Sequence, residues 1–150
     1  VFLIGVSSIM AWILAFTGIP AAISNALLGI SNNKIVILLI INVILLVVGT
    51  FMDITPAILI FTPIFLPVVT SDLIGMTAIQ FGIMLVFNLC IGTITPPVGN
   101  ILFVGVRVAK TSIERVIKPL LPYYGVIILV LLLVTFVPAI SMFLPRLMGF

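Results

Sequence analysis

Long apolar runs alternate with short polar interruptions along this chain, and the run lengths predict its elements. Residues 1–19 are almost wholly apolar, long enough for a crossing of about 20 residues. Gly18 and Pro20 close that run. The first polar stretch is 24–34 (SNALLGISNNK), with Asn32-Asn33 as its turn signal. Residues 35–48 form an apolar run of only 14, and residues 57–70, carrying Pro63 and Pro67, form another of 14. Between them lies G-T-F-M-D-I-T-P, from Gly49 to Pro56. After a polar turn at Ser71-Asp72, a short apolar arm at 79–91 runs into G-T-I-T-P-P-V-G-N, from Gly92 to Asn100, and helical character resumes at 101–109. Residues 119–138 make one last long apolar span, with Tyr123 and Tyr124 near its start at interface depth.

Two short arms around a Gly/Thr/Asp/Thr-Pro tip allow two architectures. One is a single long, kinked helix crossing the membrane. The other is a re-entrant hairpin that enters and leaves on one side. Arms of about 14 residues favour the hairpin. Irregular backbone at membrane depth is tolerated only when it is buried in protein or lines a cavity. The second interruption predicts a discontinuous helix on local grounds. Pro96 and Pro97 supply no backbone N–H, and each disfavours helical geometry at the residue before it. The expected organisation is a transmembrane helix and connecting segment over 1–34, a re-entrant hairpin over 35–70, a discontinuous helix over 71–110, and a basic loop with the last transmembrane helix over 111–150.

Composition supports a chain whose solvent is the bilayer. Hydrophobic residues make up 64% and charged residues 6%, against about 25% charged in an average soluble protein. The same figures exclude disorder. There is no His, and Cys90 is the single cysteine, which removes intrachain disulfides and thiolate metal sites. Asp53, Asp72 and Glu114 are the only acids and lie far apart in sequence, so an enzyme is not expected, nor any cofactor. The net charge of +3 does not suggest nucleic acid. Residues 107–118 hold four of the six basic residues, which places this loop in the cytoplasm of a multi-pass inner-membrane protein. The last span then leads outward, and Ser71-Asp72 lies outside. Beginning at Val1 without Met or signal-peptide features, the chain reads as a piece of a longer protein.

The two interruptions are the candidate site. Each holds Gly-Thr followed by Thr-Pro. Secondary transporters build substrate and ion sites at the midplane from such helix breaks. Unwound carbonyls and Thr hydroxyls suit a small hard cation such as Na⁺, and the half-helices that follow, at Ala57 and Asn100, point positive dipole ends at an anionic substrate. Gly and Pro also bend or pack membrane helices without any ligand. Asp53 is an acid in an apolar zone, a functional hypothesis by default, and it also suits a cap for the following helix. Asn88 suits interhelical bonding as well as ligand contact. Asn42 reads as structural, Gln80 lies near a mouth, Cys90 is a small packing residue, and Trp12 faces lipid or packs.

The stretch G49-T-F-M-D53, P56-A-I-L-I, T62-P-I-F-L-P67, then F81-G-I, N88-L, I91-G92 and T95-P-P-V-G99 with L102-F-V104, resembles the large membrane subunit of tripartite ATP-independent periplasmic (TRAP) transporters. The resemblance is dense from about Asn42 to Val104 and looser elsewhere. It implies an all-α integral membrane protein: one repeat of an elevator-type transporter of the wider ion-transporter superfamily, here the carboxy-terminal part. It implies as partners the first half of the same permease, a small membrane subunit, a periplasmic substrate-binding protein and the lipid bilayer. The cargo would be an organic acid anion, of C4-dicarboxylate or sialic-acid type, driven by sodium as coupling ion. Under this reading Gly49, Thr50, Asp53, Gly92, Thr93, Thr95 and Pro96 are the ion-binding positions. Thr55, Asn88, Pro97, Val98, Gly99 and Asn100 are the substrate-binding positions. Two alternatives stand beside it: a superfamily member working without a binding protein, and a membrane scaffold that does not transport.

Overall fold

A computed structural model of the chain describes residues 2–30 and 33–148. These residues form helices α1 (Phe2–Phe16), α2 (Ile19–Ile30), α3 (Lys34–Phe51), α4 (Ile54–Val69), α5 (Ala78–Ile94), α6 (Asn100–Val108), α7 (Ile113–Phe136) and α8 (Pro138–Leu147). Two of them, α3 and α7, are long and apolar enough to cross a membrane.

Several boundaries differ from the sequence expectation. The first apolar run does stop near Gly18, whose φ of +70° suits a residue without a Cβ. The polar stretch after it is not a linker, because α2 continues through Ile30. Asn32, half of the expected turn, lies outside the described residues. Its neighbour Asn33 caps α3, its side chain accepting from the Ile35 N–H at 3.0 Å. The first arm is 18 residues and not 14, since Gly49, Thr50 and Phe51 stay helical. The Thr50 hydroxyl donates back to the Val47 carbonyl at 2.7 Å, which holds that last turn closed. The basic loop is also shorter than expected, for α7 starts at Ile113 and passes through Pro119 and Pro122. The tail is helical as α8 up to Leu147.

The order of contacts fixes the helix directions. Asn42 of α3 bonds Asn88 of α5, and Gly49 meets Gly92 further along both helices. Residue numbers rise together, so α3 and α5 run parallel. Only Met52 and Asp53, both extended, separate α3 from α4. At its other end α4 lies beside the start of α5, where the Met76 N–H bonds the Val69 carbonyl at 2.9 Å. Helix α4 therefore runs back, antiparallel to α3 and α5. Helices α1 and α2 pack mainly on α4, while α3 packs chiefly on α5.

The core is one apolar cluster that includes Ile37, Leu38, Ile41 and Leu45 from α3, Phe65 and Val68 from α4, Phe81, Met84, Leu85 and Leu89 from α5, and Leu131 from α7. Val43 and Val47 of α3, Ile83 and Val86 of α5, and Val126 and Leu129 of α7 are exposed, so these helices are apolar on their outer faces as well. In lipid such a core gains nothing from water exclusion, and close packing and interhelical hydrogen bonds must hold it. A buried polar ladder supplies the bonds. The Gln80 amide donates to the Thr135 carbonyl at 3.2 Å, Asn42 donates to the Thr135 hydroxyl at 3.4 Å, and Asn88 donates to the Asn42 side-chain oxygen at 2.7 Å. The ladder ties α3, α5 and α7 together.

Candidate functional site at the converging helix breaks

Both interruptions arrive at one place because α3 and α5 run parallel and cross with their backbones nearly touching. A Cβ on Gly92 would lie 2.5 Å from the Gly49 carbonyl carbon and 2.6 Å from its Cα. Only glycine at position 92 permits this approach, and at Gly49 a Cβ would be tight, 3.1 Å from the Gly92 Cα. Beyond the crossing, the second break reaches back to the first: the Gly99 N–H donates to the Thr50 carbonyl at 3.1 Å. Gly99 has φ +45° and caps α6, and a Cβ there would meet the Thr95 carbonyl oxygen at 2.9 Å and that of Thr93 at 3.2 Å. The left-handed backbone and the crowding both call for glycine.

Carbonyl accounting shows what this end of α5 offers. An α-helical carbonyl bonds the N–H four residues on. For Thr93 that residue is Pro97, which has no N–H. For Thr95 it is Gly99, whose N–H goes to Thr50. For Ile94 the partner is a side chain on another helix, the Tyr124 hydroxyl, at 2.6 Å. Thr93 and Thr95 thus present carbonyl oxygens converging on Gly99. The hydroxyls of these two residues donate back into their own helix, to the Cys90 carbonyl and the Ile91 carbonyl, each at 2.7 Å, which leaves their oxygen lone pairs as acceptors. The peptide bond between Pro96 and Pro97 is cis.

Dipoles reinforce this arrangement. The C-terminal ends of α3 and α5 meet here, and each carries about half a negative charge. Helix α6 begins at the same place with positive polarity. Its first N–H groups, on Asn100, Ile101 and Leu102, precede the first intrahelical bond, from Phe103 to the Gly99 carbonyl at 3.0 Å. The start of α4 offers less. It begins at Ile54 and not at Ala57, the Ile54 N–H is taken by the Asp53 carboxylate at 2.8 Å, and Pro56 has none. An anion is therefore better served by α6 than by α4, where the Asp53 carboxylate repels it.

The remaining sequence candidates fall as follows. Asp53 is the N-cap of α4 and is exposed, as is Thr55. Neither hydrogen-bonds the second break among the described residues. Pro97 and Asn100 are exposed, Pro96 and Val98 half-buried, and Gly49, Thr50, Gly92, Thr93 and Gly99 buried. Asn88, expected to touch substrate, is fully buried with its amide on Asn42, so its side chain serves helix association here. Cys90, expected to pack, is exposed on this chain. Trp12 is exposed, its ring 4.6 Å from that of Phe16. The sequence reading missed the roles of Tyr124 and Gln80. Beside the breaks lies a cavity of about 510 Å³, mostly apolar, with Thr50, Thr95, Pro96, Pro97, Leu121 and Tyr124 in its walls.

Comparison with known proteins gives this site its family. The family described as tripartite ATP-independent periplasmic transporter, DctM component, matches residues 1–140. The chain belongs to the DctM family. Among curated relatives, the isethionate TRAP transporter permease protein DctMQ of Oleidesulfovibrio alaskensis is 46% identical over 95% of this chain and 22% of its own length. The C4-dicarboxylate TRAP transporter large permease protein DctM of Vibrio cholerae is 40% identical over 98% of this chain and 32% of its own length. An uncharacterized protein of Salmonella typhimurium, YgiK, is 52% identical over 97% of this chain and 33% of its own length. The chain thus spans a third or less of these DctM relatives. No solved structure matches it.

Proposed function

We propose that this DctM chain is the second repeat of a secondary active permease that imports an organic acid anion down a sodium gradient. The observation that carries the reading is the junction of the two breaks, the Gly99 N–H on the Thr50 carbonyl at 3.1 Å. It puts two negative helix ends, and two carbonyls without a donor among the described residues, beside one positive helix start. In this reading a cation sits between the carbonyl and hydroxyl oxygens of Thr93 and Thr95 and the end of α3 around Gly49 and Thr50, with Gly92 and Pro96 shaping the backbone and Asp53 adding negative charge nearby. The anion sits at the start of α6, against Pro97, Val98, Gly99 and Asn100. Each charge lowers the cost of the other, which is the physical basis of coupling.

The same reading makes α3 and α4 a re-entrant hairpin with its tip at Met52-Asp53, and α5 with α6 a discontinuous helix, both moving together in an elevator-type cycle. The first half of the permease completes the fold in the inner membrane. A small membrane subunit and a periplasmic binding protein that delivers the substrate complete the system, as the family's tripartite description suggests. C4-dicarboxylates, isethionate and sialic acids are the anions to test. The deciding experiment is uptake into liposomes by the full-length permease with its partner subunits, under a sodium gradient and under a matched potassium gradient. Sodium-dependent uptake, lost when Thr95→Ala is combined with Asp53→Ala, is the expected result. Uptake that survives both substitutions would remove the cation from these breaks, and uptake driven equally by potassium would remove sodium from the mechanism.

A further inference from the structure

We propose that Tyr124 is a positioning residue for the second break, its hydroxyl holding the Ile94 carbonyl so that the Thr93 and Thr95 carbonyls remain as the cation's oxygens. The inference rests on the cation reading above and adds to it a residue from a different helix. Three successive carbonyls leave the end of α5, those of Thr93, Ile94 and Thr95. Successive carbonyls on a helix end fan out around its axis, so they cannot all face one ion. The structure separates them by partner. Thr93 and Thr95 crowd Gly99, with oxygen distances of 3.2 and 2.9 Å to the place a Cβ would occupy. Ile94 is turned to α7 and receives the Tyr124 hydroxyl at 2.6 Å, at the short end of the range for such bonds.

This bond has two consequences. It satisfies a carbonyl that the unwound loop would otherwise leave bare in a low-dielectric setting, where an unmade hydrogen bond is costly. It also anchors the end of α5 to α7, the helix whose first turns carry Glu114, Arg115 and Lys118. The ring itself forms part of the cavity wall beside Thr95, Pro96 and Pro97. Ring and hydroxyl therefore have separable jobs. Phenylalanine would keep the wall and lose only the anchor.

The test uses the full-length permease with its subunits and sodium alone as the probe, with potassium holding ionic strength constant. Melting temperature is followed against sodium concentration for wild type, Tyr124→Phe and Tyr124→Ala, and hydrogen exchange is read over the segment 94–102. Loss of one hydrogen bond to the positioned carbonyl should raise the half-saturating sodium concentration of Tyr124→Phe about threefold to tenfold. Exchange should rise over 98–102 and not over α3. If Tyr124→Phe matches wild type in both readouts while Tyr124→Ala melts lower, the residue only packs and the proposal is overturned. If wild type itself gains no stability from sodium, the cation reading falls and takes this ligand-setting role with it. A wild-type sodium response with an unshifted Tyr124→Phe curve overturns the Tyr124 proposal alone.

Discussion

At the scale of single residues, glycine at the helix crossing is the most exposed point of the design. The Gly92 backbone lies against the Gly49 backbone, and a methyl group on Gly92 would overlap it at 2.5 Å. Neither backbone can rotate away as a side chain would, so Gly92→Ala must part α3 from α5. The expected cost is about 1–3 kcal/mol or more, read as a lower melting temperature of the full-length permease, with uptake lost because the Thr50–Gly99 bond opens. Gly49→Ala is milder, its closest approach being 3.1 Å. Gly82 and Gly125 make good controls. Both sit inside helices with nothing within 4 Å of an added Cβ, so alanine there should be neutral or gain up to about 1 kcal/mol from helix propensity. If Gly82→Ala and Gly92→Ala behaved alike, close backbone contact would not explain the site.

At the scale of helices, the polar ladder should control how α3 and α5 associate. Asn42 is its hub, bonded to Leu38, Thr135 and Asn88. Asn88 is a spoke, donating twice to Asn42 while its own buried side-chain oxygen has no partner among the described residues. Replacing the hub takes away the bond to Thr135 and the shorter of the two acceptors of the Asn88 amide, which keeps only the Asn42 main-chain carbonyl. Replacing the spoke removes that unpaired oxygen along with two donated bonds. Asn42→Leu should therefore destabilise more than Asn88→Leu. The double variant should recover part of the loss, with a coupling of about 0.6–1.7 kcal/mol, measured by reversible unfolding of the permease in detergent or bilayer. Additive single effects would dissolve the ladder as a unit. This pairing also marks the limit of what the sequence shows. Both asparagines stand out among apolar neighbours, yet one-dimensional hydrophobicity cannot say which helix faces which. The breaks were legible because Thr-Pro-Pro-Val-Gly has no helical solution of its own. Helix α2 was not, because SNALLGI reads as polar only against very apolar flanks, and its Ala and Leu residues favour helix. The helical turn at Gly49–Phe51 was also hidden. Gly and Thr count against helix in propensity, and Gly92 of the parallel α5, which gives glycine its reason there, is 43 residues further along the chain than Gly49.

At the scale of the whole molecule, the parallel course of α3 and α5 constrains the path through the membrane. If α5 crosses from the side of Ser71-Asp72, then α3 enters from that same side, for its start lies level with the start of α5. Helix α4 must return there, since Met76 bonds Val69 at the far end. The pair α3–α4 then cannot be one crossing, even though α3 alone is long enough to span at 18 residues. Helix direction returns the chain to the side it entered from, as the proposed re-entrant hairpin requires. In the proposed topology the basic residues around 107–118 put the opposite side in the cytoplasm. The prediction follows directly. In the full-length permease with Cys90→Ser and any other native cysteines replaced, single cysteines are placed at Lys34, Asp72 and Ser112, all exposed positions. A membrane-impermeant maleimide applied to sealed right-side-out vesicles should label the first two and spare the third until the vesicles are opened. Labelling of Asp72 with protection of Lys34 would make α3–α4 a single bent span. The two breaks would then meet through a chain path that the helix directions do not allow, and the cation and anion positions assigned to them would fall together.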